Sequence, residues 1–167
     1  MKKIIFFLCF IVPVVTFGQK VKVSTDDFTG EKTIETSWEK IYSGGMTGKY
    51  QTRIKLEDTD GRQYISFRIY TDCQTSIVAE TEVLFKTSEG LVKGTVIKFA
   101  TASPGAWMLN APNNKLGILF SIRVDLSQLK GAIEKIRIPL LDGNLDLDIS
   151  KKDSDKIHKM INLVIAN

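Results

Sequence analysis

The residue types that carry chemistry are few in this chain and do not cluster. His158 is the only histidine, and Cys9 and Cys73 are the two cysteines. A serine-type triad needs a histidine held by a carboxylate and touching a nucleophile. His158 instead lies between Ile157 and Met160, two apolar positions at helical spacing, and Asp155, three residues earlier, can offer it a surface contact. Cys73 is followed by Gln74 and Thr75 and preceded by Asp72, none of which would lower a thiol pKa, so it reads as a buried structural cysteine. One histidine and one cysteine outside the apolar N-terminal run do not make a zinc site of the usual composition. No catalytic residue, metal or cofactor is therefore assigned. The carboxylate pair of a polysaccharide hydrolase stays open, because its separation in space cannot be read from sequence.

Two motifs come close to a known chemistry and miss it. Gly44-Gly45-Met46-Thr47-Gly48-Lys49 has the look of a phosphate-cradling loop, but it has one residue too few before the Gly-Lys pair, and Tyr50 stands where Ser or Thr would hold magnesium. No helix pattern follows to point its positive end at a phosphate. Asp142, Asn144, Asp146 and Asp148 place oxygen-bearing side chains at alternate positions, a set that suits calcium. The glycine and the glutamate of a calcium-binding loop are replaced by Leu147 and Asp153. A strand with one wet face produces the same alternation, with Arg137 placed to pair with Asp148. Spacing alone leaves calcium open.

A better candidate is a surface. In residues 50–57, Ile54 and Leu56 alternate with Arg53, Lys55 and Glu57, and in residues 62–70, Ile65, Phe67 and Ile69 alternate with Tyr64, Ser66, Arg68 and Tyr70. Asp60-Gly61 between them tolerates the positive φ angles of a tight hairpin turn. Pairing Leu56 with Ile65 and Ile54 with Phe67 puts both apolar sets on one face. The other face collects Arg53, Lys55, Tyr64, Arg68 and Tyr70, of which Arg53, Tyr64, Arg68 and Tyr70 are the ligand-binding candidates. Rings of this kind stack on sugars, and guanidinium groups hold carboxylates or phosphates. Trp107, between loop-forming stretches rich in Pro, Gly and Asn, joins the candidate ligand-binding set. Trp38 is expected inside, on the face of Ile34.

Period-two patterning also predicts strands over 20–23, 32–38, 82–87, 91–101 and 115–124. A second hairpin turns at Asp142-Gly143, with Ile138 opposite Leu147 and Arg137 opposite Asp148. Residues 126–132 hold a short helical turn capped by Asp125 or Ser127. A final helix starts at a capping box, Ser150 with Asp153, and carries the stripe Ile157, Met160, Ile161, Val164, Ile165. The expected fold is mainly β (α+β): an antiparallel sheet, sandwich or open barrel with one C-terminal amphipathic helix packed on it.

Residues 1–18 read as a signal peptide: Lys2-Lys3, an apolar run, then Thr16-Phe17-Gly18. The run is about 14 residues, short of the roughly 20 a membrane-crossing helix needs, and Pro13 interrupts it. Residues 19–167 then form a single β-rich globular domain. Loss of Lys2 and Lys3 lowers a formal net charge of +4 by two, which argues against a nucleic-acid partner.

The segments Asp26-Asp27-Phe28-Thr29-Gly30 and Trp38-Glu39-Lys40-Ile41, with the closing Ile136-Arg137-Ile138, Asp146-Leu147-Asp148-Ile149 and final helix, resemble small uncharacterised exported β-rich proteins of Gram-negative bacteria. The resemblance implies export and a sheet-plus-helix layout, and it assigns no activity. The expectation is a periplasmic or secreted binding module for a glycan-like or acidic small ligand or an envelope protein. The alternatives are a structural or assembly protein acting through strand edges, and a polysaccharide hydrolase.

Overall fold

The computed structural model describes residues 21–43, 51–71, 73–104 and 116–167. Residues 1–18, read above as a signal peptide, residues 44–49 and Trp107 lie outside them. The strands are β1 (Val21–Thr25), β2 (Lys32–Thr36), β3 (Glu39–Ser43), β4 (Gln51–Thr59), β5 (Arg62–Thr71), β6 (Ser76–Ile77), β7 (Glu82–Thr87), β8 (Gly90–Val96), β9 (Ala100–Thr101), β10 (Leu116–Arg123), β11 (Ile133–Leu140) and β12 (Gly143–Asp148). Helix α1 (Lys151–Ile165) closes the chain.

The β4–β5 hairpin has the register that its apolar alternation requires, with Leu56 opposite Ile65 and Ile54 opposite Phe67. Asp60 (φ 48°) and Gly61 (φ 77°) turn it, both in the left-handed region. From this hairpin the antiparallel sheet grows in the order β1-β2-β4-β5-β10-β8-β7-β11-β12, with β3 also on β4. Neither end of that order pairs with the other, so the sheet is not closed into a barrel. The short pair β6–β9 stands apart.

Ile54, Phe67, Ile118, Phe85, Ile138 and Leu147, drawn from β4 through β12 in that order, belong to one buried cluster. Its centre is Phe67, stacked on Phe120 (ring centroids 5.1 Å, 11° between planes) and tilted against Phe85 (6.5 Å, 40°). Helix α1 covers this inner face, touching β2, β3 and β4 on one side and β11 on the other. Ser150 caps it by accepting the Asp153 N–H, and Ile157, Met160, Ile161 and Val164 are buried. Ile165, expected on the same stripe, is exposed beyond the core. Asp125 caps a three-residue 3-10 turn, Leu126–Gln128.

The second hairpin differs from expectation by two residues. Leu140 faces Gly143, so the turn is Leu141-Asp142, and Arg137 faces Asp146 while Lys135 faces Asp148. A two-residue shift leaves every side chain on its own face, so alternation cannot distinguish the two registers.

Buried Ser154 accepts the Ile133 N–H at 2.9 Å, tying α1 to the start of β11. Ser154→Ala strands that amide, and urea denaturation should show a loss of about 1–3 kcal/mol with an unchanged m-value.

Candidate binding site

On the outer face of β4, β5 and β10 the ladder sets side chains in rows. Arg53 faces Arg68, which faces Leu119; Lys55 faces Ser66, which faces Ser121; Glu57 faces Tyr64, which faces Arg123. Tyr70 sits one row beyond, opposite Gln51. The structure thus brings together Arg53, Tyr64, Arg68 and Tyr70, all half-buried on one face. Trp107 falls outside the described residues.

Trp38 belongs to this face and not to the core. Strand β2 pairs with β4 as Glu35 opposite Glu57, a register that would place Trp38 opposite Ile54 on the core side. Glu39 occupies that position instead, because one extra residue is inserted where β2 ends and β3 begins. A single inserted residue reverses side-chain parity. Thr36 closes the break by accepting the Leu56 N–H at 3.0 Å. The Trp38 ring then lies with the Arg68 guanidinium carbon 3.9 Å from its centroid and Lys55 Nζ at 6.0 Å, a cation–π arrangement.

A second irregularity opens a cleft beside these rows. Strand β8 pairs with β10 only at Val96–Ile122 and Thr95–Arg123. Continued in register, Gly117 would face Thr101, but it exchanges both main-chain hydrogen bonds with Ser103, at 3.0 Å each. Two residues are therefore looped out, and the chain arches away from β10 between Ile97, whose N–H donates to the Ser121 carbonyl at 3.0 Å, and Ser103. Strand β9 in the arch pairs with β6, and Gln74 Nε2 donates to Thr101 Oγ1 and to the Ala102 carbonyl, at 3.0 Å each, so the arch is held from behind.

Under the arch is a cleft of about 460 Å³, walled by Tyr64, Ile97, Phe99 and Leu119 and edged by Lys98 and Glu57. Phe99 is 62% exposed, Leu119 43% and Ile97 38%. Ser66 and Ser121 hydrogen-bond to each other on its floor, at 2.7 Å. Tyr64 and Ile97 also border a smaller hollow with Glu80 and Arg123. Reading 91–101 as one strand concealed this cleft. Its signal was the run Ile118-Leu119-Phe120, which is apolar on both faces of a strand.

The charges on this face are unevenly satisfied. Lys55 donates to Glu35 at 2.7 Å and lies 3.3 Å from Glu57. Arg53 Nε is buried with no hydrogen-bond partner among the described residues. Burial pulls the Arg68 pKa below the usual guanidinium value, and the charge of Arg53 adds to that, with Tyr70 opposing.

The other sequence candidates lie elsewhere. Asp142 accepts from Thr75, Asp146 takes both arms of Arg137 at 2.7 Å, and Asp148 lies 3.1 Å from Lys135. These carboxylates are thus engaged by the protein's own groups, and Arg137 pairs with Asp146 in place of Asp148. The described residues hold no His, Cys, Asp and Glu cluster fit for a metal. His158 Nδ1 lies 2.9 Å from the Ser154 carbonyl, and Cys73, half-buried where full burial was expected, has Sγ 3.2 Å from Thr71 Oγ1.

No family model, curated protein or solved structure matches the chain.

The Glu35–Lys55 pair that flanks the face has a definite pH signature. The Lys55 hydrogen bond holds the Glu35 carboxyl below its ordinary value, outweighing burial, which raises it. For Lys55, burial lowers the pKa, but the hydrogen bond and charge of Glu35, with Glu57, leave it raised. The stabilisation from Glu35 is complete above its unfolded pKa of about 4.3 and is lost as pH falls through the lower folded value. That from Lys55 is complete below about 10.4 and is lost as pH rises through the higher folded value. Glu35→Gln should be less stable than the native chain at about pH 7, and the gap should narrow as pH falls below the unfolded value of about 4.3, as urea midpoints against pH would record.

Proposed function

We propose that this protein is exported and acts as a binding module, holding a small acidic ligand on the outer face of β4, β5 and β10 without transforming it. The observation that carries this reading is the direct cross-strand opposition of Arg53 and Arg68, with Trp38 laid over Arg68. Like charges placed opposite each other cost stability, roughly 0.2–1 kcal/mol, and an anion between or beside them removes the cost. Guanidinium groups present planar donor pairs that match carboxylate and phosphate. The adjacent cleft supplies Tyr64 and Phe99, rings against which the rest of a ligand can lie. Its volume is within the range of small-molecule sites, roughly 300–1,000 Å³.

Calorimetric titration with galacturonate and with neutral galactose tests the charge requirement. The acid should bind and the neutral sugar should bind more weakly. Arg68→Gln should weaken the acid about 10- to 100-fold, the worth of a charge-assisted hydrogen bond of about 1.5–3 kcal/mol, with the melting temperature nearly unchanged. Unaltered affinity in both Arg53→Gln and Arg68→Gln would remove the reading.

A second reading, assembly through strand edges, is favoured by a different observation. Strands β1 and β12 leave one edge each without a strand partner among the described residues. Phe28, 99% exposed, tips the β1–β2 hairpin on a turn whose Phe28 and Thr29 amides donate to the Asp26 carboxylate. If that reading holds, sedimentation velocity should show association that rises with concentration and is abolished in Phe28→Ser.

A further inference from the structure

We propose that the acidic ligand of this face is an amphiphile, an anionic head on an aliphatic chain, with the chain under the arch between Ile97, Phe99 and Leu119 and the head toward Arg68. The inference rests on the acidic-ligand reading and adds the class of ligand.

Two observations carry it. Three large apolar side chains, Ile97, Phe99 and Leu119, line the cleft and stand open to water beside its polar groups, an arrangement that gains from an apolar occupant. On the floor Ser66 and Ser121 hydrogen-bond to each other, which uses one of their two O–H donors and leaves one for a sugar hydroxyl. The cleft is also joined to the cations by construction: Leu119, one of its walls, is the direct cross-strand neighbour of Arg68. Side chains so paired have Cβ atoms about 5 Å apart, so a chain lying on Leu119 delivers its head to the guanidinium without a bend. Arg53 stands one strand further in the same row. Glu57 edges the cleft two rows from the Arg53–Arg68 row, about 13 Å along β4, so its negative charge marks the end of the cleft away from the cations. Lys98 at the rim adds a third cation. The two-residue loop-out that opens the cleft is tied to β6, so the site exists before any ligand arrives.

The experiment uses laurate below its micellar concentration, dodecanol as the same chain without charge, and galacturonate as charge without chain. Laurate should bind one to one and at least tenfold more tightly than either. Phe99→Ser and Leu119→Ser should each weaken laurate at least tenfold and weaken galacturonate by a much smaller factor. Leu91→Ser, at a residue of like exposure (58%) outside the cleft, should change nothing, which separates a site from general adhesion of a soap. Because Phe99 is largely exposed, its replacement leaves the core intact, and melting curves verify that. Laurate no tighter than galacturonate, or laurate binding indifferent to both Phe99→Ser and Leu119→Ser, overturns the amphiphile while leaving the acidic-ligand reading in place. Neither anion binding more tightly than its neutral counterpart overturns both.

Discussion

Everything on the outer face depends on how completely the inner face is covered. An antiparallel sheet that does not close on itself has two faces, and one of them must be kept from water by something other than a second sheet. Here α1, with Ile157, Met160, Ile161 and Val164 buried, covers it at β2, β3, β4 and β11, and the curl of the sheet covers the rest, bringing Phe67 of β5 within 6.5 Å of Phe85 of β7, three strands away in the order. The inner residues come from strands far apart in the chain yet form one cluster around Phe67. Once that face is filled, period two forces the intervening residues of β4, β5 and β10 outward together. Arg53, Tyr64, Arg68 and Tyr70 are neighbours on one surface because Ile54, Ile65, Phe67 and Ile69 are neighbours on the other.

Against that regular background, two insertions make the surface more than a solvated sheet. The single residue inserted between β2 and β3 moves Trp38 from one side of the sheet to the other. The two residues looped out between β8 and Ser103 preserve parity, so Ile97 and Phe99 stay on the outer side while the main chain moves away from β10. An odd insertion and an even one thus do different work: the first re-aims a side chain, and the second opens space. Both are anchored by hydrogen bonds, from Leu56 to Thr36 in one case and from Gln74 to the arch in the other. Anchored irregularities in otherwise regular strands are where sheets commonly build sites.

The same distinction explains what could be read from the sequence. The β4–β5 hairpin was legible because Asp60-Gly61 fixes the turn, and Ile54 and Leu56 on one side of it with Ile65, Phe67 and Ile69 on the other fix the register. The capping serine and the apolar stripe gave α1 almost to the residue, Ile165 aside. Four members of the outer face followed from alternation alone. The C-terminal hairpin was legible in its faces but not in its register, since a shift by two is invisible to a period of two. Trp38 was misplaced because nothing in Thr36-Ser37-Trp38-Glu39 marks an insertion: no glycine or proline stands there. The cleft was missed because its walls come from two segments that meet only through the β8–β10 pairing, and long-range pairings leave no local trace. Leu119 alone carried a hint, as an apolar residue on the wet side of its strand.

The outer face also sets a condition on its own electrostatics. Lys55 is matched within the protein, by Glu35 and Glu57. Arg53 and Arg68 lie side by side in the next row, with the Trp38 ring over Arg68. A ring face attracts a guanidinium by roughly 0.5–2 kcal/mol, enough to hold it in place. Trp38 therefore fixes the orientation of Arg68 and lowers the side-chain entropy still to be lost when an anion is engaged. The one-residue insertion that placed Trp38 there is, on this account, the feature that turns a cationic row into a pre-organised one. A sheet with the same charges and an unbroken β2–β3 register would keep the repulsion and lose the orientation.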